Sequence, residues 1–244
     1  MPSSLSGRRM LFNQYGNVLI NNERALGQTG EDEEVGQILS WFKKPEARVL
    51  DLSPGPGPHA RLLAERGCKV TRLDIFDPAI SDKGRRISVY EMQKDLFIRL
   101  GIFDLVIGLG NTVSRFDRRL ILPLFDRIRR VLSHGGVFVF SAFYWGPPSR
   151  KNFVEKGEDG KVRAVWEREF REEKGSIRLK GRLCEGDGQA AVHTFEAQCF
   201  KVPEMLSLLE YAGFSGVRWS NRLDFQGRAL QGADTLFYRG SNAR

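Results

Sequence analysis

Cysteine is scarce in this 244-residue chain: Cys68, Cys184 and Cys199 stand far apart, without metal-ligand spacing. An odd count so spread argues against a disulfide framework. The expectation is indifferent thiols in a reducing cytoplasm, and no bound metal. No apolar run approaches the roughly 20 residues that a spanning helix needs. Arg8 and Arg9 form a twin arginine, but Asn13, Gln14, Asn17, Asn21 and Asn22 interrupt the apolar stretch an export leader would require. No small-residue cleavage site follows, so no export signal is read and the expected location is cytoplasmic. Internal repeats and low-complexity tracts are missing as well. These absences set aside disulfide scaffolds, membrane spans and repeat arrays.

What remains is 41% hydrophobic and 28% charged, the balance of a soluble globular chain rather than a disordered one. The formal charge of +8 invites a nucleic-acid reading. Its distribution weakens that reading. Arg115, Arg118, Arg119, Arg127, Arg129 and Arg130 crowd one segment against Asp117 and Asp126. Residues 146–200 are nearly balanced. The excess reads as the solvated face of one helix, remote from any ligand, and leaves a nucleic-acid partner open without calling for one.

Strand and helix patterns alternate through the first 145 residues. "EDEEVGQILSWFKK" places its acids first and its lysines last, as a helix dipole favours, with Val35, Ile38, Leu39 and Phe42 at helical spacing. Strands are expected at 47–52, 69–74, 86–92, 103–110 and 135–143, and helices at 59–67 and 117–132. The run "FDLVIGLG" is continuous enough for a buried parallel strand. Beyond residue 146 the pattern changes. "SIRLKGRLCE" alternates strictly, as a strand with one wet face does, and "VRAVWEREF" and "AAVHTFEAQCF" flank it. "EGDGQ" reads as a hairpin turn between two of these strands. Helix and strand then return at 202–214, 215–221 and 234–240.

The segment "VLDLSPGPGPHARLLAERGCKVTRLD" reads as a nucleotide-binding βαβ unit. Gly55, Gly57 and Ala60 match a dinucleotide fingerprint, but Pro56 and Pro58 remove amide donors that a pyrophosphate would need. Asp51 at the loop mouth repels phosphate and suits an ammonium or sulfonium group. Asp74 lies 19 residues past Gly55, where it can accept both ribose hydroxyls. A phosphate-free nucleoside fits better than NAD.

With "FDLVIGLGN", "LFDRIRRVLSHGGVFVFS" and "MLSLLEYAGFSGVRW" following in order, the chain resembles class I S-adenosylmethionine-dependent methyltransferases over nearly its whole length. "GLGN" and the inserted strands look like the small-molecule branch that includes glycine and sarcosine N-methyltransferase-like enzymes. The resemblance implies S-adenosylmethionine as cofactor and a small-molecule substrate methylated at N, O or C. It implies that Asp51, Ser53 and Gly55 lie along the methionine part and that Asp74 holds the ribose. Asp95, with Glu91 as rival, would stand near the adenine amino group, and Leu109 and Gly110 would line the pocket. Tyr15, Asn111 and His193 are the candidates for catalysis, each with a packing or surface role as its plain counterpart. Thr112, Tyr144 and Trp145 share the same sheet edge. His59 is expected near solvent at a helix start, and His134 in a turn.

The expected fold is α/β: a Rossmann-like doubly wound sheet, mostly parallel with an antiparallel last strand, plus a small antiparallel β insertion after strand five. Residues 1–145 would form N-terminal helices and the cofactor-binding core, 146–200 a substrate lid, and 201–244 the helix and strands that complete the core sheet. Two departures from the family pattern stand out. Ser53 takes a usual glycine position, and the short span between Asp74 and Ile87 leaves little room for a helix. The alternatives are a non-catalytic binding or scaffold protein on the same fold, and an RNA methyltransferase. Against the latter, no "NPPY"-type loop follows strand four and no cysteine is expected beside strands four or five. Oligomeric state is not legible.

Overall fold

A computed structural model describes residues 31–52, 58–73, 100–148, 151–156, 162–184, 190–225 and 235–243. Its elements are α1 (Glu31–Trp41), β1 (Arg48–Leu52), α2 (Pro58–Glu65), β2 (Lys69–Leu73), β3 (Phe103–Gly108), a 3-10 turn (Thr112–Arg115) and α3 (Arg118–Val131). There follow β4 (Leu132–Tyr144), β5 (Asn152–Lys156), β6 (Val162–Arg171), β7 (Ser176–Cys184), β8 (Ala190–Phe200), α4 (Val202–Tyr211), β9 (Ser215–Ser220) and β10 (Thr235–Ser241). The expected strand at 86–92 lies outside the described residues, as do Tyr15, Ser53, Gly55, Asp74, Glu91 and Asp95.

β2, β1, β3 and β4 lie side by side and parallel. β10 runs antiparallel between β4 and β9. This is the expected mostly parallel sheet with an antiparallel last strand. Both faces are covered, which is why the central strands are apolar on both sides. One face packs Leu50, Val106, Phe138 and Phe140 with Phe125, Ile128, Met205 and Leu209 of α3 and α4. The other packs Val49, Leu105, Ile107 and Val139 with Val35, Ile38, Leu62 and Leu63 of α1 and α2.

The insertion is built from four strands, β5 to β8, where the sequence suggested three. "NFVEK" places its two apolar residues side by side, so β5 has no alternation to betray it. β7 and β8 pair from Ser176↔Gln198 to Cys184↔Ala190, which is the hairpin expected around residues 185–189. The insertion joins the core where Phe143 and Tyr144 of β4 pair with Cys199 and Phe200 of β8. Phe143, Trp166, Ile177, Leu179, Ala197 and Cys199 form its own apolar cluster. Among the described residues, no helix is long and apolar enough to cross a membrane.

Candidate active site

β1 ends in Asp51 and Leu52, and β3 in Ile107 and Gly108; both point the same way, with Asp51 paired to Ile107. Ligands of open α/β sheets bind outside these carboxyl ends. Asp51 is buried, with only 3% of its surface exposed.

The turn after β3 reverses sharply. Gly110 and Asn111 both take left-handed backbone conformations, with φ of 70° and 55°. Glycine adopts this freely and asparagine tolerates it. Side-chain hydrogen bonds hold the turn in place. The Asn111 amide N–H donates to Ser141 Oγ at 2.9 Å, tying it to β4. Asn111 Nδ2 donates to Thr235 Oγ1 at 3.1 Å, tying it to β10. The Thr112 hydroxyl lies 2.8 Å from the Leu109 carbonyl and 3.5 Å from that of Leu52 at the end of β1. Ser114 Oγ accepts the Phe143 amide at 2.8 Å. Arg115 Nη2 then donates to the Gly110 carbonyl at 3.2 Å. The edge is therefore a cross-braced rim, with Asp51, Leu109, Gly110 and Asn111 brought together at it.

Strand register carries the same face outward. Asp51 pairs with Ile107, Ile107 with Val139, and Phe143, two alternations further along β4, with Cys199. Phe195 pairs with Leu179, and Leu179 with Arg168. Paired residues share a face and alternate residues return to it. The insertion face that buries Trp166, Arg168 and Leu179 is thus the face of the core sheet that carries Asp51. His193 stands on that face by register, opposite Gly181.

Asn111 donates its backbone and side-chain N–H groups within the rim, as Thr112 does its hydroxyl. Several other expectations are corrected. The arginines do not form one remote solvated face. Arg119 and Arg130 are exposed, but Arg115 sits on the rim itself. Arg118 is half-buried, pairs with Glu204 of α4, donates to the Cys199 carbonyl at 2.7 Å and stands over the Phe200 ring at 4.8 Å. These three partners come from 81 and more residues away in sequence, beyond the reach of local pattern. A cysteine does lie beside β4: Cys199 pairs with Phe143. Burial pushes its thiol up to about 12, which leaves it inert as a nucleophile. His59 is buried rather than near solvent. His134 is exposed at the irregular start of β4, next to Gly135 at φ 72°. Tyr144 packs against the α3 side of the core, and Trp145 against Phe170 and Lys201. No cluster of metal-ligating side chains occurs among the described residues.

By sequence, no family model and no curated protein matches the chain. By structure, it matches an S-adenosylmethionine-dependent methyltransferase from Clostridium acetobutylicum with a TM-score of 0.71 at 15% identity, over 95% of this chain and 98% of that one. The chain has a methyltransferase fold. An amino pentose methyltransferase from Micromonospora echinaspora, solved with its methyl donor bound, matches with a TM-score of 0.67 at 18% identity, over 90% of this chain and 94% of that one. A sugar N-methyltransferase from a Streptoalloteichus species matches at 0.67 and 17% identity, over 88% and 87%.

Proposed function

We propose that the protein is an S-adenosylmethionine-dependent methyltransferase that modifies a small molecule. The observation that carries this reading is the braced rim at the carboxyl ends of β1 and β3, with a buried carboxylate, Asp51, in its floor. The donor set fits the cofactor: a carboxylate answers its ammonium or sulfonium, and a glycine turn lets the backbone come close. Asp51, Ser53 and Gly55 would lie along the methionine part, Asp74 would hold the ribose, and Asp95 or Glu91 the adenine. Leu109 and Gly110 would wall the pocket. The bound cofactor supplies an activated methyl group on sulfur.

The chain's own residues then have three tasks: to hold the acceptor in line, to exclude water, and to take up a proton where the acceptor carries one. The insertion, residues 146–200, is suited to the second task as a lid. Its buried face lies on the Asp51 side of the sheet, and it rises from the carboxyl edge. Tyr15 and His193 are proposed for contact with the acceptor. Asn111 is proposed to shape the rim that positions it. The neighbour named as a sugar N-methyltransferase, beside the one named as an amino pentose methyltransferase, supports a nitrogen acceptor within the small-molecule class, and the glycine/sarcosine-like branch is one member of that class. Arg115 and Arg118 each bind part of the fold, Arg115 at the rim and Arg118 at β8.

Calorimetric titration tests the proposal. S-adenosylmethionine and S-adenosylhomocysteine bind with a stoichiometry of one, and NAD does not. Binding of NAD alone would replace this reading with a dinucleotide enzyme.

A further inference from the structure

We infer that His59 and Glu34 are positioning residues for the cofactor loop, acting as a buried brace between α1 and α2. The inference rests on the S-adenosylmethionine reading of the Gly55 loop. His59 Nε2 lies 2.5 Å from Glu34 Oε2, and both side chains are almost wholly buried. Glu34 stands in the first turn of α1 and His59 in the first turn of α2, directly after the loop.

The chemistry of the loop explains why a brace is placed there. Residues 53–57 read Ser-Pro-Gly-Pro-Gly, and α2 opens on Pro58. Proline has no amide hydrogen, so Pro54, Pro56 and Pro58 supply no backbone donors and this stretch has fewer of them than a glycine-rich one. Its two flanks are anchored in the fold. One end is Leu52, whose carbonyl faces the Thr112 hydroxyl of the rim. The other is His59. A carboxylate can only accept, so Nε2 carries the proton and donates to Glu34. This directional bond fixes the ring, and with it the rotation of the first turn of α2. A pair of apolar side chains would keep the helices together without that direction. Burying the two polar groups brings little net stability over such a pair, so its presence points to placement rather than to cohesion.

The account predicts a split between folding and affinity. In the full chain, Glu34→Leu/His59→Leu melts within a few degrees of wild type but binds S-adenosylhomocysteine about tenfold or more weakly, since displacements on the order of 1 Å carry large costs in such sites. His59→Gln, which can still donate to Glu34, binds within about threefold of wild type. If the apolar pair does not fold, His59→Asn, whose shorter amide falls short of the carboxylate, is judged by the same affinity criterion. An apolar pair, or the Asn variant in its place, that binds as wild type does overturns the inference. So does a Gln variant as weak as the apolar pair. Wild-type protein that does not bind S-adenosylhomocysteine at all overturns the cofactor reading, and this inference with it.

Discussion

Arg118 illustrates how one side chain can tie distant parts of the chain together. It belongs to α3 in sequence, yet its guanidinium serves β8 and α4 through the Cys199 carbonyl, Glu204 and the Phe200 ring. Arg118→Met keeps the stem and removes these contacts. A loss of about 1–3 kcal/mol is expected, read from urea unfolding, because a charge-assisted bond and a cation–π contact go together. Nothing in the local sequence announces this role: Arg118 and Arg119 are neighbours of one type, and one is half-buried while the other lies in solvent. Asp51 is the opposite case, since an acid closing an apolar strand before a glycine loop is readable without coordinates. Asp74 is of that kind too. Asp74→Ala should weaken S-adenosylhomocysteine binding at least about tenfold, each charge-assisted ribose bond being worth about 1.5–3 kcal/mol. Unchanged affinity by calorimetry would remove Asp74 from the site.

Strands β1 and β3 could be read from the sequence because they are buried on both faces and therefore continuously apolar. β6, β7 and β8 could be read because one face is wet and the residues alternate. β5 could not, since its five residues offer neither signal. The element ends are locked by polar contacts that periodicity does not report. Asp104 of β3 is an example: it accepts from Lys44 Nζ at 2.6 Å, the Arg48 amide at 2.9 Å and the Ser133 hydroxyl at 3.2 Å. Burial pushes its carboxyl up, but these partners together hold it below the ordinary carboxylate value. A depressed value in the folded state means that the stabilisation is full above the unfolded value, near 4, and is lost as pH falls through the folded one. Asp104→Asn should therefore be less stable than wild type at pH 7, and the gap should close below about pH 4. A gap that stays constant in acid would show that Asp104 does not contribute through its charge. The insertion gives a second test at this scale. Replacing residues 151–197 by a Gly/Ser linker leaves Cys199 and Phe200 on β4. The shortened chain should still bind S-adenosylhomocysteine and lose methyl transfer. Transfer at the wild-type rate would show that the insertion is no lid.

Taken whole, the molecule is one continuous sheet whose inner part builds a rim and whose outer part extends the same face beyond it. The alternation of elements, the two covered faces and the place of the rim follow from hydrophobic pattern and from the glycine turn, so the sequence could anticipate them. The bracing of the rim by Ser141 and Thr235, and the face shared by Asp51 and Trp166, depend on register between distant strands and emerge only in three dimensions. The central claim is that this rim is a methyl-donor site closed by the insertion. A crystal structure with S-adenosylhomocysteine tests it most directly. The account predicts the ligand's amino-acid end between Asp51 and Gly110, with the Trp166 face of the insertion above it. A ligand bound elsewhere, or an insertion packed away from the β1–β3 edge, would contradict it.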